Sequence, residues 1–181
     1  MKYYSLQTPS HKVSFKEAVI QGIAPDKGLY YPEHIPPLDP SFFERIESMS
    51  PVEIGLEVMH PFTEGVLTKS ELKSVLKEVL DFDFPVIPLN ENIGSLELFH
   101  GPTLAFKDVG ARFMAHCLGL FSNKKEHKVT VLVATSGDTG GAVANGFLGV
   151  AGVEVVILYP SGKVSPIQEK QLTTLGKNKS P

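Results

Sequence analysis

The chain has 181 residues, of which 42% are hydrophobic and 20% charged, and it carries a formal net charge of −3. That composition describes a globular chain that buries a core, and the length suits one full domain or a small domain with part of another. The weak negative charge argues against a nucleic-acid or anionic-membrane surface as partner. The single cysteine, Cys117, excludes an internal disulfide framework and fits a reducing compartment. No apolar run reaches the length of a membrane span, and the opening MKYYSLQTPSHK lacks the apolar core of a secretory signal, so a cytoplasmic location is expected.

Taken in chain order, KYYSL reads as a short strand. SFKEAVIQG follows as a helix, with Ser14 and Glu17 as a capping box and Gly22 at its C-terminal end. GLYYPEHIPPLDP is too rich in proline for a helix interior and reads as a turn or extended loop. Pro40 and Ser41 open a short helical run, SFFERIES. Ser50, Pro51 and Glu53 mark another helix start, and Thr68 with Glu71 a further one. Residues 1–80 are therefore expected to form a small, mainly helical unit.

The pattern changes at DFDFPVIPL, and residues 81–181 are expected to form a second, α/β unit. VIPL and SLELFH read as short strands, followed by a Gly-Pro turn. Beyond it Phe106, Val109, Phe113, Cys117, Leu120 and Phe121 recur at helical spacing and predict one apolar helix face. KVTVLVATSG is almost continuously apolar, as expected of a parallel strand covered on both faces. DTGGAVANGFLGVAG is a helix of small residues, and VEVVILYP a second buried strand. Strand, helix, strand at this length predicts a parallel βαβ crossover. Ser165, Pro166 and Gln168 then cap one more helix. So few parallel strands make an incomplete sheet, and the chain is expected to be part of a longer protein, with the closing KSP as a tail and an unpaired sheet edge after VEVVILYP open to self-association.

Two places could carry chemistry. In VLVATSGDTGGA a strand ends, a Ser-Gly-Asp-Thr-Gly loop follows, and a helix starts. That geometry aims backbone N–H groups and the positive end of a helix dipole beyond the strand's C-terminal edge, where carboxylates and phosphates bind. Ser136 and Thr139 add hydroxyl donors. The same loop also serves simply as a tight turn with Asp138 as cap. It lacks the G-x-G-x-x-G order of a dinucleotide fingerprint, and PSGKVS lacks the upstream glycine and Ser/Thr of a P-loop. The second place is Lys107, between Phe106 and Asp108 at the start of a helix. Lysines in such positions commonly lay their stem on the helix and reach water. A cation at a helix start opposes the dipole, however, which favours the neutral, nucleophilic amine able to form a Schiff base. His100 reads as a turn residue, Cys117 as core despite the neighbouring His116, and Arg112 as one half of a surface ion pair. No spacing of His, Cys and Asp describes a metal site.

LFHGPTLAFKDVGARF resembles the cofactor-lysine segment of the threonine synthase family, ATSGDTGGA its glycine loop, and YPSGKVSPIQEKQ its next segment. KGLYYP, within the helical first unit, resembles the start of the longer members. The resemblance runs to Gly176 and implies pyridoxal phosphate (PLP), a fold-type-II architecture, and conversion of O-phospho-L-homoserine and water to L-threonine and phosphate. It implies that Lys107 binds the cofactor and shuttles protons at Cα and Cβ, with Phe106 beside it. It assigns Ser136, Gly137, Asp138 and Thr139 to the substrate carboxylate and Lys163 to the substrate phosphate. Members of the family are more than twice this length, and their cofactor-phosphate loop and the partner of the ring nitrogen lie beyond the residues present. The same residues leave room for a related lyase, such as a threonine dehydratase or a tryptophan-synthase-like enzyme, and for a non-catalytic anion- or nucleotide-binding module. The helical first unit favours threonine synthase among the enzymes, and Lys107 separates enzyme from module.

Overall fold

Local signals set the first elements. A computed structural model describes residues 1–122 and 129–176 as two compact units, Met1–Leu80 and Asp81–Pro181. The closing Lys179–Pro181 and the expected strand start at Lys128 lie outside the described residues.

In the first unit, β1 (Lys2–Ser5) pairs antiparallel with β2 (Lys12–Ser14) and with β3 (Tyr30–Pro32), in the order β2-β1-β3. β3 lies inside the proline-rich stretch read as loop. Pro32 ends the strand at a sheet edge, where its missing N–H costs nothing, so an extended loop and an edge strand look alike in sequence. Four helices follow the capping signals: α1 (Phe15–Gln21), α2 (Pro40–Arg45, continued as a 3-10 turn to Ser48), α3 (Pro51–Thr63) and α4 (Lys69–Val79). α1, α3 and α4 begin with complete capping boxes, Ser14/Glu17, Ser50/Glu53 and Thr68/Glu71. α2 is instead capped by Asp39, whose carboxylate accepts from the Ser41 N–H at 2.8 Å. Val13, Phe15, Phe42, Leu67, Leu72, Val75, Leu76 and Val79 form the buried core.

The second unit opens with an antiparallel hairpin, β4 (Val86–Asn90) and β5 (Ile93–Leu96). Then come α5 (Asp108–Phe121), β6 (Val129–Ala134), α6 (Asp138–Gly146), β7 (Val153–Leu158) and α7 (Pro166–Thr173). β6 and β7 pair in parallel from Val129↔Val153 to Ala134↔Leu158, with α6 as the crossover. A mainly helical first unit followed by the start of a parallel sheet is thus the observed architecture. Two expectations are corrected. Among the described residues the strands are covered on one face only: accessibility alternates along β6, where Leu132 is 65% exposed, and β7, read as buried, exposes Val156 and Leu158. The buried side of α5 is Asp108, Ala115, Cys117 and Leu118; Phe106 precedes the helix and is 59% exposed, and Leu120 is also exposed. The expected spacing counted apolar residues without knowing which neighbour each would meet.

Small residues let the helices approach. A Cβ on Gly146, at the end of α6, would come within 3.1 Å of the Ala111 backbone in the first turn of α5, a contact that backbone cannot yield. Phe147, Ala142, Ala144, Val153, Val155 and Leu172 complete the core of this unit.

Candidate functional site

Lys107 is the residue just before α5, with helical backbone angles and no capping hydrogen bond from its side chain. Its Nζ lies 4.4 Å from the centroid of the Phe106 ring, within cation–π range. Among the described residues it makes no ion pair. The acid next to it is otherwise engaged. Asp108 is 1% exposed, and its carboxylate accepts from the Thr103 N–H at 2.9 Å and the Thr103 hydroxyl at 2.6 Å. The turn before the helix is held by the Leu104 N–H bonding Gly101 O at 3.0 Å, and Leu104 takes a positive φ of 59°. The carboxylate therefore fastens the Gly-Pro-Thr turn to the helix start and fixes the backbone from which Lys107 projects.

Two other charged groups near this helix are engaged in pairs. Arg112 pairs with Asp81 at 2.9 Å and lies 5.8 Å over the Phe82 ring. His100 meets Glu97 at 2.7 Å and stacks on Phe99. Cys117 is fully buried, and burial pushes its thiol up to about 12. Arg112 in its ion pair and Cys117 in the core match what their sequence positions suggested.

The glycine loop is built around Thr135, which sequence reasoning did not single out. Its Oγ1 accepts from the N–H groups of Gly137 and Gly140, both at 3.1 Å. Those two donors hold the loop, which leaves the first N–H groups of α6, at Asp138 and Thr139, with no carbonyl one turn behind them. Ser136 and Asp138 are exposed and Thr139 is half-buried. Asp138 does not cap α6. Its Oδ1 accepts from Gln168 Nε2 at 2.7 Å. Gln168 comes so close that a Cβ on Gly137 would lie 2.6 Å from the same nitrogen. Only the expected cap at Ser165 signalled Gln168; nothing in the sequence pointed to its partner 30 residues away.

Because β6 and β7 are parallel, the loop after each leaves the same sheet edge. Ser136–Thr139 follows β6. Lys163 follows β7, in a turn closed by its N–H on Pro160 O at 3.0 Å, and its side chain is exposed. Lys107 makes no ion pair with the loop among the described residues. Ala111, one turn into α5, packs on Gly146 at the far end of α6, while the loop forms the near end, and a nine-residue helix is about 13 Å long. No helix among the described residues is long and apolar enough to cross a membrane.

The parallel βαβ unit, the preceding lysine helix and the Ser-Gly-Asp-Thr-Gly turn are the parts of a fold-type-II domain. Residues 2–79 match the sequence family described as Threonine synthase N terminus. Threonine synthase from Haemophilus influenzae is 46% identical over 178 residues, which is 98% of this chain and 41% of that protein. A crystal structure of threonine synthase from Escherichia coli superposes with a TM-score of 0.90 at 42% identity, over 98% of this chain and 41% of that one. PLP-bound threonine synthase from Brucella melitensis does so with a TM-score of 0.87 at 36% identity, over 94% and 38%. The chain is similar in sequence and fold to the N-terminal portion of threonine synthases. It spans about two-fifths of the length of the curated relatives it matches.

Proposed function

We propose that the chain is the N-terminal portion of an enzyme converting O-phospho-L-homoserine and water to L-threonine and phosphate, with PLP as cofactor. The observation that supports this best is the isolation of Lys107. It starts a helix, rests on an aromatic ring, and makes no ion pair among the described residues, the adjacent Asp108 being held by Thr103. A lysine locked in an ion pair would be poorly suited to covalent attachment; this one fits it. When bound, PLP supplies the electron sink that stabilises negative charge at the substrate carbons.

The chain's own residues divide the remaining work. Lys107 holds the cofactor and, when its amine is free, takes and returns protons at Cα and Cβ. Phe106 flanks the cofactor. The start of α6 receives the substrate carboxylate through the N–H groups of Asp138 and Thr139 and the hydroxyls of Ser136 and Thr139, with Gly137 shaping the turn while its own N–H is held by Thr135. Lys163, on the same sheet edge, receives the phosphate that leaves from Cγ. The overall reaction is that of a carbon–oxygen lyase acting on a phosphate ester, and the reading places it in the cytoplasm.

These 181 residues contain no segment assigned to the cofactor phosphate or the ring nitrogen, so on their own they are expected to be inactive. The open edges of the β6–β7 pair, with Leu132 and Leu158 exposed, favour self-association of the residues taken alone. Phosphate release from O-phospho-L-homoserine with added PLP is the test. The full-length protein should turn over and the 181 residues should not. A full-length protein that ignores this substrate but deaminates threonine would favour the dehydratase reading.

A further inference from the structure

The chain repeats one helix-start device four times among its described residues, and one copy differs. Ser14, Ser50 and Thr68 are each paired with a glutamate at the third helical position, and in all three the carboxylate accepts from both the backbone N–H and the hydroxyl of the cap. At α7 the cap is Ser165, but the third position is Gln168. Its Oε1 does what the glutamates do, accepting from the Ser165 hydroxyl at 2.9 Å and the Ser165 N–H at 3.3 Å. Its Nε2 does what no glutamate can, donating to Asp138 Oδ1 at 2.7 Å. An amide is the group that caps one helix and holds a carboxylate at the start of another.

That carboxylate needs holding. Asp138 is the first residue of α6, in the loop that the proposed reaction gives to the substrate carboxylate. A second carboxylate free to swing among those donors would compete for the N–H groups and repel the anion. The Gln168 bond turns Asp138 toward α7 instead. Gly137 permits it, since a side chain there would collide with the Gln168 amide.

We infer that Gln168 is a positioning residue for substrate recognition. It clamps the Asp138 carboxylate away from the anion-binding start of α6 and ties that loop to the Lys163–Ser165 segment. The inference rests on the assignment of the Ser136–Thr139 loop to a substrate carboxylate.

The test uses the full-length protein loaded with PLP. Gln168→Glu keeps the capping box, as the three glutamate boxes show, but sets two carboxylates against each other. It should raise KM for O-phospho-L-homoserine by about tenfold or more, with a smaller change in kcat. The melting temperature and the absorption of the lysine-bound cofactor should stay near the parent values. Pairing it with Asp138→Asn restores a donor and an acceptor in exchanged positions, and KM should return to within about threefold of the parent. If Gln168→Glu proves unstable, Gln168→Met removes the donor without adding charge and should raise KM to a lesser extent. An unchanged KM in the single variant, or no recovery in the double, overturns the clamp. Thr139→Val, run alongside, separates the two ideas. A raised KM there with an unchanged KM in Gln168→Glu means that the clamp is wrong and the loop assignment survives. An unchanged KM in both means that the loop assignment is wrong and the clamp falls with it.

Discussion

The Asp108 carboxylate, almost completely buried, takes both hydrogen bonds that Thr103 can donate, at 2.9 and 2.6 Å. A buried charge is tolerated only when its oxygens are satisfied, and bonds to charged groups are the stronger ones. Asp108→Ala should therefore destabilise the second unit by about 2–4 kcal/mol, from lost charged bonds and an orphaned Thr103 N–H. Thr103→Val should cost less, because the backbone donor remains. Denaturant unfolding of the two variants checks the order. Equal stability of Asp108→Ala and the parent would show that the turn is held by other means.

Acid should act on the first unit through its helix starts. Hydrogen bonds hold three carboxylates below the ordinary value of 4.5: Glu17 and Glu71 chiefly by the backbone N–H of Ser14 and Thr68, and Glu53 chiefly by the Ser50 hydroxyl. A carboxyl with a lowered value in the folded state contributes stability that is complete above its unfolded value. That contribution is lost as pH falls through the folded one. Stability of this unit should thus decline below about pH 4.5, and Glu71→Gln should flatten part of the decline. The α7 box, built on a neutral amide, contributes nothing to it. Thermal melting at stepped pH reads the difference; an acid limb identical in Glu71→Gln and the parent would contradict it.

Cys117 should be inert in the native protein. Its thiol is fully buried and raised to about 12 by burial, so little thiolate forms and none is accessible at neutral pH. Labelling by an aromatic disulfide reagent should wait for unfolding and become fast in denaturant. Rapid stoichiometric labelling without denaturant would show that the α5 core opens readily.

The glycine loop yields a graded expectation. Thr135 supplies the acceptor that holds two loop N–H groups, so Thr135→Val should disturb both the loop and the fold of the second unit. Thr139→Val should instead raise KM with little loss of stability, because no hydrogen bond within the described residues depends on its hydroxyl. Each lost bond to a charged substrate group is worth about 1.5–3 kcal/mol. Parallel KM and melting measurements separate the two, and equal stability losses would remove the distinction.

What could be read in advance follows the range of each interaction. The capping boxes at Ser14, Ser50, Thr68 and Ser165 span three residues, and all four are in place. The parallel β6–β7 crossover was legible because strand, small-residue helix and strand stand in immediate succession. β3 was hidden because an extended edge segment ending at Pro32 has no helix or alternation signal of its own. The buried side of α5 was misjudged because Leu120 and Phe106 are apolar yet exposed among the described residues. Asp108 was visible only as a neighbour of Lys107. The bond from Gln168 to Asp138 joins residues 30 apart and leaves no mark except a glutamine where three sister helices carry glutamate.

The central claim is that Lys107 is the residue to which the cofactor attaches, and borohydride reduction tests it most directly. The full-length protein loaded with PLP is reduced, digested and mapped by mass spectrometry. The mass of the reduced cofactor should fall on the peptide containing Phe106-Lys107-Asp108, and Lys107→Ala should abolish both the label and phosphate release. Label on another lysine, or a protein that stays unlabelled while turning over substrate, would contradict the account.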